Sequence, residues 1–276
     1  MEQIIRQPQD MTYLSWSKTR RSSGTAGSFL KAQEETPEGK MIYYKLSNYD
    51  VINGITGHES VNEILADRLL SLLDIPHVSY RLIHADIMID RKPIRTWLCA
   101  SENFRQRGEK KIALDIYYEL NKKPGETPLD FCLRYGWEEY IWQMLLVDYL
   151  ILNRDRHGAN MEVLENKNAF PARVRLAPLF DHGLSFFCRT PDEEALEKED
   201  VLADKPVQSF VGSHSAWENL KLIPEEKRIV LPGLTQSDLD SLIDGLDGVL
   251  GRRWLERSVE MIEKRWKAYE DFCHQG

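Results

Sequence analysis

Two polar loops separated by a predicted hairpin constrain this chain more than any other feature of its sequence. The first loop, N-R-D-R-H-G-A-N at 153–160, follows an apolar segment, and the second loop, D-H-G, begins at Asp181. A turn at 166–168 lies between two short predicted strands, so the chain reverses and returns Asp181 to the neighbourhood of Asn160. We therefore expect oxygen ligands from two separate loops to converge beside Asp155.

The residue types in these loops suit metal-dependent chemistry. Mg²⁺ prefers oxygen ligands, and one or two protein groups usually bind it while the phosphates of a substrate supply the rest. Asn160 and Asp181 match that requirement. The five-residue step from Asp155 to Asn160 also reproduces the kinase catalytic loop, in which the Asp positions or deprotonates an attacking hydroxyl. As an ordered set, these residues predict a functional site.

Composition excludes several classes of protein. The 276 residues are 42% hydrophobic and 29% charged, which is typical of a globular chain and at this length favours two lobes that share a cleft. A net charge of −8 argues against a dedicated nucleic-acid binder. The apolar stretches at 64–73 and 141–152 are too short to span a membrane.

The expected location is the cytoplasm. The segment 1–10 is polar and lacks the pattern of a signal peptide. The four cysteines are widely spread without a C-x-x-C pair, which supports neither a disulfide framework nor a zinc knuckle.

The order of predicted elements indicates an α+β chain. Strands at 41–46, 79–84 and 96–100 surround one helix, for which Ser60 is the expected N-cap and Pro76 marks the stop two residues after Asp74. From Leu129 onward the pattern is helical. It includes an all-round apolar helix through Trp137, Ile141, Leu145, Asp148 and Leu152 and a final helix from Leu255 to Cys273, while the acidic run 192–200 reads as a loop or short helix. A β-rich N-lobe at 1–103 and a mostly helical C-lobe at 104–276 are therefore expected.

The two loops resemble those of a known family. N-R-D-R-H-G-A-N followed by L-A-P-L-F-D-H-G-L is similar to the catalytic and metal-binding loops of the HipA-like serine/threonine protein kinases, in particular their short CtkA-type members. The similarity extends to V-D-Y-L-I-L-N at 147–153 and to the predicted helix at 62–76. It implies a two-lobed protein-kinase-like fold that uses ATP and Mg²⁺. It also implies that Asp155 is catalytic and that Asn160 and Asp181 are the Mg²⁺ ligands.

Other parts of a kinase have candidates in the first hundred residues. Lys45 lies in an apolar and aromatic strand, where a cation that points into a cleft needs an anionic partner such as ATP phosphate. Glu63 resembles the glutamate of the family's N-lobe helix and is expected to pair with Lys45, with Glu59 as the substitute. The alternative is that Glu63 completes a capping box with Ser60.

Further nucleotide contacts are expected in a glycine-containing stretch at 22–28 and in a hinge at 101–104. Asp148, in an apolar helix, and His157 are expected to support the catalytic loop. The nucleotide-binding candidates beyond Lys45 are Ser23, Gly24, Gly27, Ser101, Glu102, Phe104 and His157.

The leading hypothesis is an ATP- and Mg²⁺-dependent serine/threonine protein kinase that acts on a protein substrate and autophosphorylates at Ser22 or Ser23. The resemblance also implies a helix-turn-helix antitoxin-like partner. Three alternatives remain open. They are a kinase of the same fold that acts on a lipid headgroup or small molecule, a nucleotide-binding pseudokinase, and a metal-dependent hydrolase built on Asp155, His157, Asp181 and His182.

Overall fold

A six-stranded mixed sheet forms the framework of the first hundred residues. It is seen in a computed structural model that describes residues 2–19, 26–168 and 173–274. The strands are β1 (Ile4–Asp10), β2 (Ser17–Thr19), β3 (Ala26–Glu35), β4 (Met41–Leu46), β5 (Tyr49–Asp50), β6 (Gly54–Ile55), β7 (Tyr80–Ile89), β8 (Lys92–Glu102), β9 (Lys110–Ala113), β10 (Asp155–Arg156), β11 (Glu162–Asn166), β12 (Arg173–Leu176) and β13 (Gln208–Ser209). The helices are α1 (Glu59–Leu72), α2 (Leu114–Asn121), α3 (Pro128–Arg134), α4 (Glu138–Leu150), α5 (Glu193–Glu197), α6 (Ala216–Leu220), α7 (Gln236–Ile243) and α8 (Arg252–His274).

The strand order in this sheet is β1-β7-β8-β4-β3-β2, with β1 parallel to β7 and the other pairs antiparallel. In β4, Ile42, Tyr44 and Leu46 are buried on one face, against a small hydrophobic cluster. Because side chains alternate along a strand, Tyr43 and Lys45 lie on the opposite face. The alternation in β4 therefore sets the face from which Lys45 reaches the site.

Helix α1 begins earlier than the sequence predicts. The N-cap position is His58, which makes no capping bond through its side chain, and the expected cap Ser60 lies inside the helix. The backbone N–H of Ser60 donates instead to Oγ of Ser47, at 3.0 Å, just after β4. Packing against the sheet thus replaces the local cap, and the alternative capping box between Ser60 and Glu63 does not form.

The larger hydrophobic core joins α1 to the helices of the second half of the chain. Helix α4 is buried on nearly all sides, as its apolar pattern predicts, and α8 packs Leu255, Ile262, Trp266 and Tyr269 into the same core. The acidic run contains the short helix α5, capped by Asp192. No helix in the described part of the chain is both long and apolar enough to cross a membrane.

The predicted hairpin between the two polar loops is present. Strand β11 pairs with β12 in antiparallel register, from Val163 opposite Leu176 to Asn166 opposite Arg173. A third strand that the sequence analysis missed, β9, pairs with the other edge of β11. Strand β11 thereby becomes the central strand of a three-stranded sheet, which stabilises the positions of both loops.

Loss of side-chain volume inside α4 should be costly. Leu146 is fully buried, so Leu146→Ala is expected to lower the free energy of unfolding by about 2–5 kcal/mol through lost burial and a residual cavity. Leu120→Ala is the control, because Leu120 is 74% exposed in α2 and should change stability by no more than about 0.5 kcal/mol. Urea denaturation measures both values. Equal effects would contradict this assignment of the core.

Candidate active site

A buried ion pair anchors the loop that carries Asp155. The guanidinium of Arg156 donates to both carboxylate oxygens of Asp148 in α4, at 2.9 Å each, and the side-chain amide of Asn153 donates to the same carboxylate at 2.9 Å. Arg156 is 1% exposed and Asp148 9% exposed. Paired and hydrogen-bonded charges are the form in which buried charge is tolerated. Asp148 therefore supports the loop as the sequence analysis expects.

Arg156 also joins the first polar loop to the second. Its Nη1 donates to the carbonyl oxygen of Phe180 at 2.8 Å and lies 3.3 Å from the carbonyl oxygen of Asn160. Phe180 immediately precedes Asp181, so one side chain fixes the backbone on both sides of the candidate site. The sequence analysis missed Arg156. The signal for it was an arginine eight residues after a carboxylate that lies in an apolar helix.

Asp155 and Asn160 lie next to each other. The side-chain amide of Asn160 donates to the carbonyl oxygen of Asp155 at 2.9 Å and is 3.4 Å from Oδ2 of its carboxylate. The Asp155 side chain is 23% exposed, so an incoming group can reach it. The amide that a kinase-like loop uses for metal and the carboxylate that it uses for catalysis are thus adjacent.

Lys45 contacts two carboxylates that come from different parts of the fold. Its Nζ donates to Oε1 of Glu63 in α1 at 2.8 Å and also donates to Oδ1 of Asp181. Burial opposes the charge on Lys45, but Asp181 and Glu63 more than offset that effect and raise its pKa above the ordinary value. The lysine is therefore cationic, and the contact between Lys45 and Glu63 is the one that the family resemblance implies.

Side chains of helix α1 also form hydrogen bonds with the backbone of the second polar loop. The side-chain amide of Asn62 donates to the carbonyl oxygens of Gly183 and Ser185, at 2.8 and 3.0 Å, and the N–H of His182 donates to Oε2 of Glu63 at 2.8 Å. A Cβ on Gly183 would lie 3.2 Å from Nζ of Lys45, so glycine leaves room for this close approach. The contacts of Asn62 were not visible in the sequence, where it reads as part of a helix cap.

A cavity of about 430 Å³ opens beside these groups. Lys45 and Asp181 line one part of it, and Ser101 and Phe104 of the expected hinge line another. Cys99 also faces the cavity, and burial raises the pKa of its thiol to about 12, so the thiol is neutral beside Lys45. The cavity therefore has Lys45 and Asp181 at one end and the aromatic ring of Phe104 at the other.

Two expected nucleotide-binding side chains do not line this cavity. The carboxylate of Glu102 pairs with Lys40 at 3.2 Å and borders a different pocket. His157 accepts a hydrogen bond at Nδ1 from the N–H of Ala159, at 3.1 Å, and caps the turn that contains Asn160. His157 is thus placed to support the loop, and its role as a nucleotide contact remains only a prediction.

The expected glycine-containing loop is largely outside the described residues. Ser22, Ser23 and Gly24 fall there, and nothing in the structure bears on them. Gly27 is described and lies in β3, where a loop was expected. A phosphate-binding role for this stretch stays a prediction.

The donor set at the two loops fits a hard cation. Asn160 contributes an amide oxygen and Asp181 a carboxylate, which are ligand types that Mg²⁺ accepts together with phosphate oxygens. By contrast, no group of three or more His, Cys, Asp and Glu side chains suited to a metal occurs in the part of the chain that the structure describes. The four residues of the hydrolase alternative are therefore not assembled into one such group. Burial and the nearby Arg156 also lower the pKa of His182 well below its ordinary value.

Comparison with known proteins gives a match in structure only. No protein-family model matches the chain, and no curated protein matches it in sequence. The chain is similar to the Helicobacter pylori proinflammatory kinase CtkA, with 16% identity, a TM-score of 0.66 and 97% coverage of each chain. It also matches HipA of Shewanella oneidensis MR-1, solved with HipB and operator DNA, with 13% identity, a TM-score of 0.41 and coverage of 95% of this chain and 59% of that chain.

A third match is the Rio2 kinase of Chaetomium thermophilum, solved as an ADP, Mg²⁺ and phosphoaspartate complex, with 10% identity, a TM-score of 0.41 and coverage of 92% of this chain and 72% of that chain. The likeness to CtkA over nearly the full length of both chains establishes the architecture. The chain has a two-lobed, protein-kinase-like α+β fold. The fold and the resemblance to CtkA-type kinases that the motifs predict are thereby confirmed at the level of structure.

The ion pair between Asp148 and Arg156 gives a stability prediction. Arg156→Met leaves a buried carboxylate without its partner and should lower the free energy of unfolding by about 3–5 kcal/mol. The double variant Asp148→Leu with Arg156→Met removes both charges and should recover a large part of that loss. Chemical denaturation of the three proteins tests this. A double variant that is as unstable as the sum of its single variants would show that the pair does not act as a unit.

Proposed function

We propose that this protein is an ATP- and Mg²⁺-dependent kinase that transfers the γ-phosphoryl group of ATP to a serine or threonine hydroxyl of a protein. The observation that carries the proposal is the contact of Lys45 with Asp181 at one cavity, together with the hydrogen bond by which Arg156, next to Asp155, holds the residue before Asp181. The kinase-like fold agrees with a phosphotransferase. The protein substrate and the hydroxyl acceptor rest on the resemblance of the two loops to the HipA-like kinases.

Each residue then has a distinct task. Lys45, oriented by Glu63, binds phosphate oxygens, and Asn160 and Asp181 bind Mg²⁺, which supplies charge neutralisation on the phosphates when bound. Asp155 orients the acceptor hydroxyl and takes its proton. The acceptor oxygen forms a bond to the γ-phosphorus while the bond from that phosphorus to the β,γ-bridging oxygen breaks, and ADP leaves.

Two wider parts of the proposal rest on the sequence alone. The resemblance implies a toxin–antitoxin context with a helix-turn-helix antitoxin-like partner, and composition implies a cytoplasmic location without direct contact to nucleic acid or membrane.

Autophosphorylation at Ser22 or Ser23 would add nearly two negative charges next to the phosphate site and repel ATP.

Variants of the two aspartates should separate binding from turnover. Asp181→Ala is expected to lose the Mg²⁺-dependent part of ATP affinity together with activity, because it removes a metal ligand. Asp155→Ala should bind Mg-ATP as the wild type does while its turnover falls by about 10²–10⁴-fold, the range for loss of a general base. Calorimetry gives the affinities, and transfer of labelled phosphate to protein gives turnover.

Asp86→Ala is the matched control for these variants, because Asp86 pairs with Arg95 on the surface of the β7–β8 hairpin, away from the cavity. It should leave both quantities unchanged. Full activity of Asp181→Ala would remove the metal assignment. An equal loss of ATP affinity and turnover in Asp155→Ala would make Asp155 a binding residue and contradict its role here.

Autophosphorylation has a separate test. Incubation with Mg-ATP should add phosphate to the peptide that contains Ser22 and Ser23 in the wild type, and none in Asp155→Ala, because transfer needs the catalytic carboxylate. Intact mass and peptide mapping provide the measurement. Phosphate on other peptides only, or equal labelling of the inactive variant, would refute this part of the proposal.

A further inference from the structure

A second ion pair, partly buried, lines the same cavity and has no part in the chemistry described so far. It joins Lys111 in β9 to Glu162 in β11, with Nζ and Oε2 3.2 Å apart and side chains 15% and 13% exposed. The antiparallel register places Lys111 opposite Leu164. Glu162 lies two residues from Leu164 and so projects from the same face of the sheet. Both charged groups therefore project toward the cavity.

Aromatic rings surround the ammonium group of this pair. Nζ of Lys111 lies 4.5 Å from the centroid of the Phe104 ring and 5.3 Å from that of Tyr43, and both rings line the cavity. Cations at such distances from ring faces are attracted by the ring quadrupole. The two rings and the carboxylate of Glu162 together restrain the position of the Lys111 ammonium.

The pair lies at the opposite end of the cavity from the phosphate-binding groups. Tyr43 and Lys45 are two residues apart on one face of β4, which corresponds to about 7 Å at the usual rise of a strand. In the next strand Tyr43 is opposite Ser101, at the hinge end of the cavity. If phosphates bind at Lys45, the nucleoside part of the ligand reaches Lys111 and Glu162.

One oxygen of this pair lacks a hydrogen bond. Oε2 of Glu162 is buried and accepts no hydrogen bond among the described residues, although the Lys111 ammonium lies 3.2 Å from it as an ion contact. A buried carboxylate oxygen without a donor is costly. The hydroxyl groups of a ribose and the amino group of a base are donors that a nucleoside offers.

We propose that Glu162 recognises the nucleoside by accepting a hydrogen bond from it, and that Lys111 is a positioning residue that holds the Glu162 carboxylate toward the cavity. This inference rests on the proposed kinase function, because that function places a nucleotide in the cavity. The ligand class is a nucleoside triphosphate with a hydrogen-bond donor on its ribose or its base at this point.

The test measures nucleotide affinity by calorimetry with Mg²⁺ and a non-hydrolysable ATP analogue. Glu162→Met keeps an unbranched side chain but cannot accept this bond, and its dissociation constant should rise by about ten- to a hundredfold, the value of a hydrogen bond to a charged group. Glu162→Gln keeps the shape of the side chain and an acceptor oxygen without the charge, so its loss of nucleotide affinity should be smaller than that of Glu162→Met. If Glu162→Met does not fold, Glu162→Gln alone must still weaken binding.

Glu165→Gln is the matched control. Glu165 belongs to the same strand but projects from the other face, where its carboxylate is 3.4 Å from Lys167. The affinity of the Glu165→Gln variant for nucleotide should equal that of the wild type. Lys111→Met should weaken binding less than Glu162→Met does, and Lys111→Arg should restore affinity, since an arginine can keep the ion pair.

Analogue nucleotides identify the donor. If a ribose hydroxyl donates, 2′-deoxy-ATP or 3′-deoxy-ATP should bind the wild type more weakly than ATP. If the base donates, the triphosphate of purine riboside, which lacks the 6-amino group, should bind the wild type more weakly than ATP. In either case the difference should disappear in Glu162→Met.

The outcomes distinguish the two proposals. Wild-type affinity for ATP in both Glu162 variants, or nucleotide differences that persist in Glu162→Met, would overturn the role of Glu162 and leave the kinase function intact. Failure of the wild type to bind any nucleotide with Mg²⁺ would overturn both.

Discussion

The buried guanidinium of Arg156 is the contact on which the arrangement of the site depends. It binds the carboxylate of Asp148 in α4, the carbonyl oxygen of Asn160 and the carbonyl oxygen of Phe180. A planar group with several fixed donors can satisfy all three at once, which a lysine ammonium on its flexible chain cannot do with the same geometry. Because its partners lie in helix α4 and in the two polar loops, Arg156 holds together positions that are distant in the sequence.

On the side of the sheet, helix α1 likewise holds together segments that are distant in the sequence. Its Glu63 contacts both Lys45 of β4 and the backbone of His182, and its Asn62 binds the backbone after Asp181. A displacement of α1 would therefore move Lys45 and the second polar loop together. Within this largely buried cluster the one ammonium of Lys45 faces the two carboxylates of Glu63 and Asp181, so both carboxylates depend on Lys45 for their stability in that position.

The sequence predicted the parts of the site that local patterns encode. The spacing of Asp155 and Asn160, the hairpin that returns Asp181 and the apolar alternation around Lys45 are all short-range signals, and the structure contains the corresponding elements. The N-cap at Ser60 was wrong because a tertiary bond to Ser47 replaced the local one. Strand β1 was missed because it is mostly exposed and polar, and its pairing partner β7 follows more than seventy residues later.

Long-range contacts account for the rest of what sequence reasoning could not reach. The role of Asn62 depends on carbonyl groups more than a hundred residues away, and the burial of Lys111 and Glu162 depends on the pairing of β9 with β11. The side chains of Glu102 and His157 do not line the cavity and instead contact Lys40 and the N–H of Ala159. Periodicity and motif spacing carry no information about such partners.

The most direct test of the central claim is a structure of the protein with Mg²⁺ and a non-hydrolysable ATP analogue. The account predicts the terminal phosphate beside Asp155, the metal bound to Asn160 and Asp181, the phosphates in contact with Lys45 and the base toward Phe104. A nucleotide bound elsewhere, or a metal that is coordinated without Asp181, would contradict it.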